Sequence, residues 1–341
     1  MKDIAQDLGV SVVTVSKVLR NHSDIGDKTR ERVLNRIKEL NYHPNLSARG
    51  LVTGRTFLVG LIVPDLLHPF FAEVAKALSS ALRKKDYYLI ISSSEEDPEL
   101  EAREIDQLLG RRLDALILAS VSPTPEVLRR IEDQESPYVL IDRQFAGISA
   151  SFVGVDNEAV GRLATEHLIE AKCKRIAHIR GRENSVGNQR QEGYKRALEA
   201  HGRRVNANYI VAQDMVDVES RENGRAAMGR LLNLPSPPDG VFCYNDPLAM
   251  GAMDRILEAG LRVPEDIAVI GCGNLHYDSS LRVPLSSIDQ QSVEMGKRAA
   301  KLVLRLVETK TAPPPKSIIL EPKLVARLST QRTGKPKSHQ S

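Results

Sequence analysis

The chain has 341 residues, a formal net charge of +4, 4% aromatic content and no tryptophan; this length calls for at least two units with cores of their own. Its three cysteines, Cys173, Cys243 and Cys272, fit neither a disulfide framework nor a paired-cysteine metal site, and read as small buried apolar residues. The start MKDIAQDLG has no apolar signal core, and no run approaches the ~20 apolar residues of a membrane span, so a reducing cytoplasm without membrane contact is expected.

Charge is segregated along the chain. Residues 1–56 carry ten Lys or Arg against six Asp or Glu, and the tail after 330 adds Arg332, Lys335 and Lys337, so the long middle section is net acidic. A basic N-terminal unit is where a phosphate backbone would dock.

The first elements are short helices. Residues 2–8 place Ile4, Ala5 and Leu8 on one face, and Gly9 suits a left-handed exit. Ser11 is placed to cap a second helix by accepting from the N–H near Thr14. On that helix Val15, Val18 and Leu19 face inward, leaving Val12, Val13, Ser16 and Lys17 outward. Helix, tight glycine turn, helix is the geometry that lays a second helix into a DNA major groove. A third helix over 27–40, capped at Gly26, carries a Val33, Leu34, Ile37 and Leu40 stripe. Asn41–Pro44 ends it, because the residue before a proline is driven from the helical region. Residues 45–53 are long enough for one or two turns of helix, with little to pack on in a fifty-residue bundle.

From Phe57 the pattern changes. Nine apolar runs of strand length, from FLVGLIVP to IAVIGCG, alternate with helical segments at 69–84, 98–110, 157–171, 187–201, 220–233 and 246–259. Such alternation predicts an α/β fold with parallel sheets covered on both faces, here two doubly wound subdomains beside the small all-α headpiece. Ligands of such sheets sit beyond the carboxyl ends of the strands. The expected organisation is a headpiece at 1–44, a hinge and linker at 45–56, a core at 57–330 with crossovers near 157 and 285–290, and a disordered basic tail at 331–341.

The segments DIAQDLGVSVVTVSKVL, KTRERVLNRIKELNYHPN, SARGL, VGLIVPDLLHPFFAEV, RRLDALIL, FVGVDN, NDPLAMGAM and VPEDIAVIG together resemble the lac-repressor (LacI/GalR) family of transcriptional regulators. The resemblance runs over essentially the whole chain. It implies a helix-turn-helix headpiece, a hinge helix and a core of periplasmic-binding-protein type. It further implies a homodimer on a near-palindromic operator in double-stranded DNA, and a small-molecule effector, sugar-like or nucleoside-like, that controls operator affinity.

Residue roles follow from matching positions. Val12, Val13 and Lys17 match base-reading positions; valine methyls can meet a thymine methyl and Lys17 can donate to guanine. Many relatives carry arginine where Lys17 stands, which weakens discrimination there. Thr14, Ser16, Thr29 and Asn45 read as phosphate or sugar contacts. Leu51 matches the hinge leucine that wedges into the minor groove beside its dimer mate, although Gly50 next to it disfavours a hinge helix. In the core, Arg190, Asp246 and Gln290 match effector contacts, Asp142 ends another strand, and Phe70 and Phe71 offer an apolar face for a ring. Structural alternatives stay open: Asp246 can cap its helix, Asp142 can pair with Arg143, and the phenylalanines can be core.

Three departures limit the transfer. Cys272-Gly273-Asn274 stands where relatives often have an acidic pair, and Met215 where an aromatic often stands. The first helix begins almost at Met1 without the Ser or Thr cap that the resemblance implies, as if the start lay too far downstream. Against the competing classes, a free-standing sugar-binding protein needs a secretion signal and no headpiece, and an enzyme finds no GxGxxG, P-loop, GxSxG or HExxH motif here. No cofactor is expected.

Overall fold

The computed structural model describes residues 1–19, 22–42, 54–309 and 313–332. Two compact units, 1–56 and 57–341, divide the chain.

The first unit is built on three helices, α1 (Lys2–Leu8), α2 (Val12–Leu19) and α3 (Asp27–Glu39). Gly9 ends α1 at φ 62°, where a side chain is disfavoured, and its turn sets α2 across α1. Ser11 Oγ accepts the Thr14 N–H at 3.0 Å, supplying the expected cap. Gly26 stands at the N-cap of α3, also as expected. Ile4, Ala5, Val15, Val18 and Val33 form the core, with Leu8, Leu19 and Ile37 partly buried around it. Each buried valine contributes roughly 1.5–3 kcal/mol by leaving water. The α3 stripe is narrower than expected: Leu34 and Leu40 are 47% and 44% exposed, because a bundle this small offers α3 a partner on one side only. Arg36 Nε holds Asp7 at 2.9 Å and clips α3 to α1.

The second unit contains two six-stranded sheets. The first orders its strands β11-β5-β4-β3-β1-β2 and is parallel throughout: β1 (Leu58–Val63), β2 (Tyr88–Ser93), β3 (Ala115–Leu118), β4 (Tyr138–Ile141), β5 (Ser151–Val155) and β11 (Ser317–Leu320). Period-two alternation gives each face its own core. On β3, Ala115 and Ile117 join one apolar cluster while Leu116 and Leu118 join the other. Helices α4 (Pro69–Arg83), α5 (Pro98–Gly110) and α6 (Glu126–Glu132) follow the first three strands.

The second sheet orders β12-β10-β9-β8-β6-β7, with β6 (Ile176–Arg180), β7 (Ile210–Ala212), β8 (Gly240–Cys243), β9 (Ala268–Cys272), β10 (Ser286–Asp289) and β12 (Lys323–Val325). Only β12 runs antiparallel. Helices α7 (Asn157–Glu170), α8 (Ser185–Ala200), α9 (Ser220–Leu232) and α10 (Asp246–Glu258) cover it. The chain passes between the sheets three times, from β5 to α7, from β10 to α11 (Ser292–Glu308), and from β11 to β12. α11 packs back on α4 through Met295, Ala299 and Val303. Twelve strands therefore stand where nine apolar runs were read: β10, β11 and β12 are short, and two of them are mostly exposed.

Candidate DNA-reading helix and effector cleft

In the first unit α2 divides its residues by exposure. Val15 and Val18 are buried, while Val12 and Val13 are 40% and 63% exposed. Two exposed valines on a helix whose other face fills the core lack a packing role in this unit. Lys17 also lies on the outer side and is paired with Asp24. Any base contact by Lys17 therefore competes with an exposed carboxylate, which costs little to displace in water. Thr14 and Ser16 are half-buried beside it, the Thr14 hydroxyl 2.9 Å from that of Ser11. Thr29 is half-buried in the first turn of α3. Asn45 and Leu51 lie outside the described residues.

In the second unit the carboxyl ends of β1 to β4 face those of β6 to β8 across a cleft that side chains and backbone bridge directly. From the first subdomain, Glu96 accepts the Val216 N–H at 3.0 Å, with the Asp217 and Val218 N–H groups each at 3.4 Å. Arg143 makes an ion pair with Asp217, both side chains 5% exposed or less. His68 Nε2 receives the Asn245 amide at 3.2 Å and lies 3.7 Å from Asp217. Arg182 donates to the Glu96 carbonyl at 3.1 Å. Glu95 and Glu96 both take positive φ, 48° and 56°, and Asp142 takes 61°. Such conformations in non-glycine residues cost energy and cluster at binding sites.

Arg190 lies deeper, on α8. Its Nε donates to Asn157 Oδ1 at 2.9 Å, Nη1 to the Tyr244 carbonyl, and Nη2 to Gln290 Oε1 at 2.5 Å. Its guanidinium also lies 4.5 Å from the Tyr244 ring centre. Arg190 reaches this point because α7 and α8 cross at backbone contact. A Cβ on Gly161 would stand 2.0 Å from the Arg190 carbonyl oxygen, and one on Gly193 2.0 Å from that of Glu158.

The six core residues singled out from sequence thus separate. Arg190 and Gln290 meet, with Asp142 close enough for its charge to act on Arg190. Asp142 also lines a cavity of about 230 Å³ with Gln144, Asn157, Ser185 and Gln189. Phe70 and Phe71 turn into the apolar core between the first sheet and α11, ring centres 5.0 Å apart, so no open face is left for a ring. Asp246 is fully buried inside the second subdomain, where its carboxylate takes the Ser287 hydroxyl at 2.7 Å and the Leu275 N–H at 3.3 Å. The helix cap beside it comes from Asn245, which accepts the Leu248 N–H at 2.9 Å. Sequence reasoning passed over His68, Glu96 and Asp217; Asn245 was legible only as a strand end beside Asp246, and its N-cap position ahead of Asp-Pro is the signal that marks it.

Burial sets the electrostatics. It raises the Asp142 carboxyl against the pull of Arg143 and Arg190. It pushes Glu96 up to about 7, with Asp217 adding to the rise. Beneath the cleft, burial and the Asp246 charge push Asp278 up to about 9. Three buried polar atoms near the cleft lack a hydrogen-bond partner among the described residues: His68 Nδ1, Gln213 Nε2 and Arg143 Nε. Since His68 Nε2 accepts from Asn245, Nδ1 carries the proton, and all three are donors. A molecule offering acceptor oxygens or nitrogens would satisfy them. The cysteines are buried, with Cys173 and Cys272 pushed up to about 12, which removes them from thiolate chemistry. Among the described residues no cluster of His, Cys, Asp and Glu is arranged to hold a metal ion, and no helix is long and apolar enough to cross a membrane.

Comparison with known proteins decides the family. Residues 1–45 match the model for bacterial regulatory proteins of the lacI family, and 165–330 that for a periplasmic binding protein-like domain. The HTH-type transcriptional repressor PurR of Haemophilus influenzae (strain PittEE) is 32% identical over 314 residues, 91% of each chain. The chain belongs to the LacI family. Another LacI-family relative, the ribose operon repressor of Halalkalibacterium halodurans, is 32% identical over 312 residues, again 91% of each. Among solved structures, the transcriptional regulator CelR in complex with cellobiose superposes with a TM-score of 0.74 at 29% identity, covering 96% of this chain and 98% of that one. This LacI-family protein is accordingly a DNA-binding transcriptional regulator with an effector-binding core, and not an enzyme. Its fold is the α/β arrangement expected, a helix-turn-helix headpiece with two parallel-sheet subdomains.

Proposed function

We propose that the protein is a repressor that works in the cytoplasm as a homodimer. It reads an operator through Val12, Val13 and Lys17 and is controlled by a neutral, hydroxyl-rich small molecule held between Asp142, Arg143, Arg190, Gln290 and the His68–Asn245 pair. The observation that carries the effector reading is the set of buried unpartnered donors, His68 Nδ1, Gln213 Nε2 and Arg143 Nε, beside the acceptor Asp142. Unpartnered donors on both subdomains, with an acceptor beside one of them, suit sugar hydroxyls or a nucleoside. Arg143 is ion-paired with both Asp142 and Asp217, and the Arg190 guanidinium is engaged by Asn157, Gln290 and the Tyr244 carbonyl, which disfavours a phosphorylated or acidic ligand there. The cellobiose bound by CelR and the name of the ribose operon repressor point to the same class. The homodimer reading draws on β2, a sheet edge carrying exposed Tyr88 and Ile91, apolar side chains that a partner edge would cover.

Leu51 serves as the minor-groove wedge, and Thr14, Ser16, Thr29 and Asn45 position the headpiece on phosphates. Asp246, with Phe70 and Phe71, shapes the subdomains rather than touching the effector. A thermal-shift screen of neutral sugars, sugar phosphates, nucleosides and nucleotides tests this reading. A neutral sugar or nucleoside raises Tm, by mass action on the folded state, while its phosphorylated counterpart does not. Stabilisation by phosphorylated compounds alone would remove the proposed ligand class.

A further inference from the structure

On α5 the apolar residues Ile105, Leu108 and Leu109 face the core of the first subdomain. Glu101 stands four residues ahead of Ile105, a spacing that puts it on the same face, and it is fully buried. Such a position calls for an apolar side chain, and a buried carboxylate is costly unless its oxygens are hydrogen-bonded. Here Oε1 accepts the Ser120 hydroxyl and Oε2 the Val121 N–H, each at 2.6 Å. Ser120 Oγ in turn accepts the Ser122 N–H at 3.2 Å. A polar residue on a core stripe, bonded to one short turn, breaks the local pattern, and such breaks concentrate where function requires them.

The turn that Glu101 holds leads into the cleft. Ser120 to Ser122 lie in the connection that leaves β3, and the Ser120 carbonyl accepts Arg143 Nη1 at 3.5 Å. Nη2 of the same guanidinium pairs with Asp217 on the second subdomain. Glu101 is also tied to the start of its own helix. Its N–H donates to the Asp97 carbonyl at 2.9 Å, and Asp97 caps α5 by accepting the Glu99 N–H at 2.8 Å. Glu96, the residue before that cap, accepts the 216–218 N–H groups. Arg143 and Glu96 thus reach one segment of the second subdomain from two separate connections, and Glu101 links the supports of both.

We infer that Glu101 is a positioning residue of the effector cleft, aligning Arg143 and Glu96 so that both meet the 216–218 segment. It acts through the Ser120–Ser122 turn and the first turn of α5. The role concerns how the cleft is held, and it stands whichever molecule the cleft takes. A side chain that filled the same space without acceptors would keep the core packed but leave the buried Val121 N–H without its partner. The turn would then shift to satisfy it, and Arg143 would lose its fixed carbonyl. The consequence appears across the cleft, on backbone groups remote from Glu101 in sequence.

Amide hydrogen exchange on the full chain reads those groups directly. Glu101→Leu, similar in size and without acceptors, is expected to speed exchange of the Val216, Asp217 and Val218 amides by about tenfold. The amides of β8, Gly240–Cys243, in the same subdomain keep the parent rate. Glu101→Gln, whose amide can still accept from Val121 and donate to Ser120 Oγ, stays close to the parent throughout. Ile105→Val, a loss of packing on the same helix face, lowers Tm but leaves exchange at 216–218 unchanged. Should Glu101→Leu fail to fold, Ser120→Ala removes one of the two bonds and carries the test, with about threefold faster exchange expected. Parent-rate exchange at 216–218 in a folded Glu101→Leu, or in Ser120→Ala, overturns the inference. Equal acceleration by Ile105→Val also overturns it, since Glu101 would then serve the core alone.

Discussion

Arg143 and Asp217 reach from opposite sides of the cleft and share a buried ion pair. Each depends on the other, since a charge left alone at such depth is strongly penalised. Asp217→Ala should therefore destabilise the closed arrangement by about 3–5 kcal/mol and weaken effector binding. Small-angle scattering would register the opening as a larger radius of gyration. Adding Arg143→Met should restore most of the compactness; a single variant as compact as the parent would show that the pair does not hold the cleft shut.

Glu96 makes closure sensitive to pH. In the closed cleft its carboxyl is pushed up to about 7, chiefly by burial and then by Asp217; in an open cleft it returns towards 4.5. The closed form thus binds the extra proton between those values, so its advantage is full below about 4.5 and is lost as pH rises through about 7. Effector affinity measured by calorimetry should fall across this window. Glu96→Gln, which keeps an acceptor oxygen for the 216–218 N–H groups without a titrating proton, should flatten the profile.

Gly161 fixes where Arg190 stands. A Cβ at this position would meet the Arg190 carbonyl oxygen at 2.0 Å, so Gly161→Ala must push α8 away from α7. The expected cost is about 1–3 kcal/mol of stability, accompanied by weaker effector binding as Arg190 is displaced. Gly229→Ala is the comparison: its nearest neighbour is Arg255 Nε at 3.5 Å, and alanine in an open helical site should stabilise by about 0.5–1 kcal/mol. Thermal melts and calorimetry on both variants measure the difference.

On DNA, Lys17→Ala should cost about 1–3 kcal/mol of discrimination at one base pair of the half-site while changing nonspecific affinity far less. Removing its intramolecular partner by Asp24→Ala should strengthen operator binding slightly, because Lys17 is released. Operator selection from random DNA with each variant reads this directly. An unchanged base preference for Lys17→Ala would assign the lysine to the backbone.

Local chemistry explains what the sequence made legible. The headpiece was readable because its signals are short-range: Gly9, the Ser11 cap, and the Val15–Val18 spacing each act within one turn. The parallel sheets were readable because strands buried on both faces, such as Ala115–Leu118, are apolar throughout. Strands β10 to β12 were not: β10 is inner but polar in sequence, and β11 and β12 are short, half-exposed edge strands. The cleft was half legible. Arg190 and Gln290 stand where family motifs point, but Glu96, Asp217 and His68 acquire a role only when two subdomains, remote in sequence, come face to face. Asp246 and Asn245 are neighbours at a helix start, and which of them turns towards the cleft is decided by the Ser287 hydroxyl on β10 and the Leu275 N–H in the loop after β9, contacts distant in sequence.

The central claim is that the cleft and the DNA-reading unit form one switch. Its most direct test is operator affinity, measured by anisotropy on the selected operator, with and without the neutral sugar or nucleoside found by thermal shift. The coupling predicts a change of at least about fivefold, the lower range of typical allosteric free energies, abolished by Arg190→Ala. Equal affinity in the presence and absence of a compound that demonstrably binds the core would contradict it.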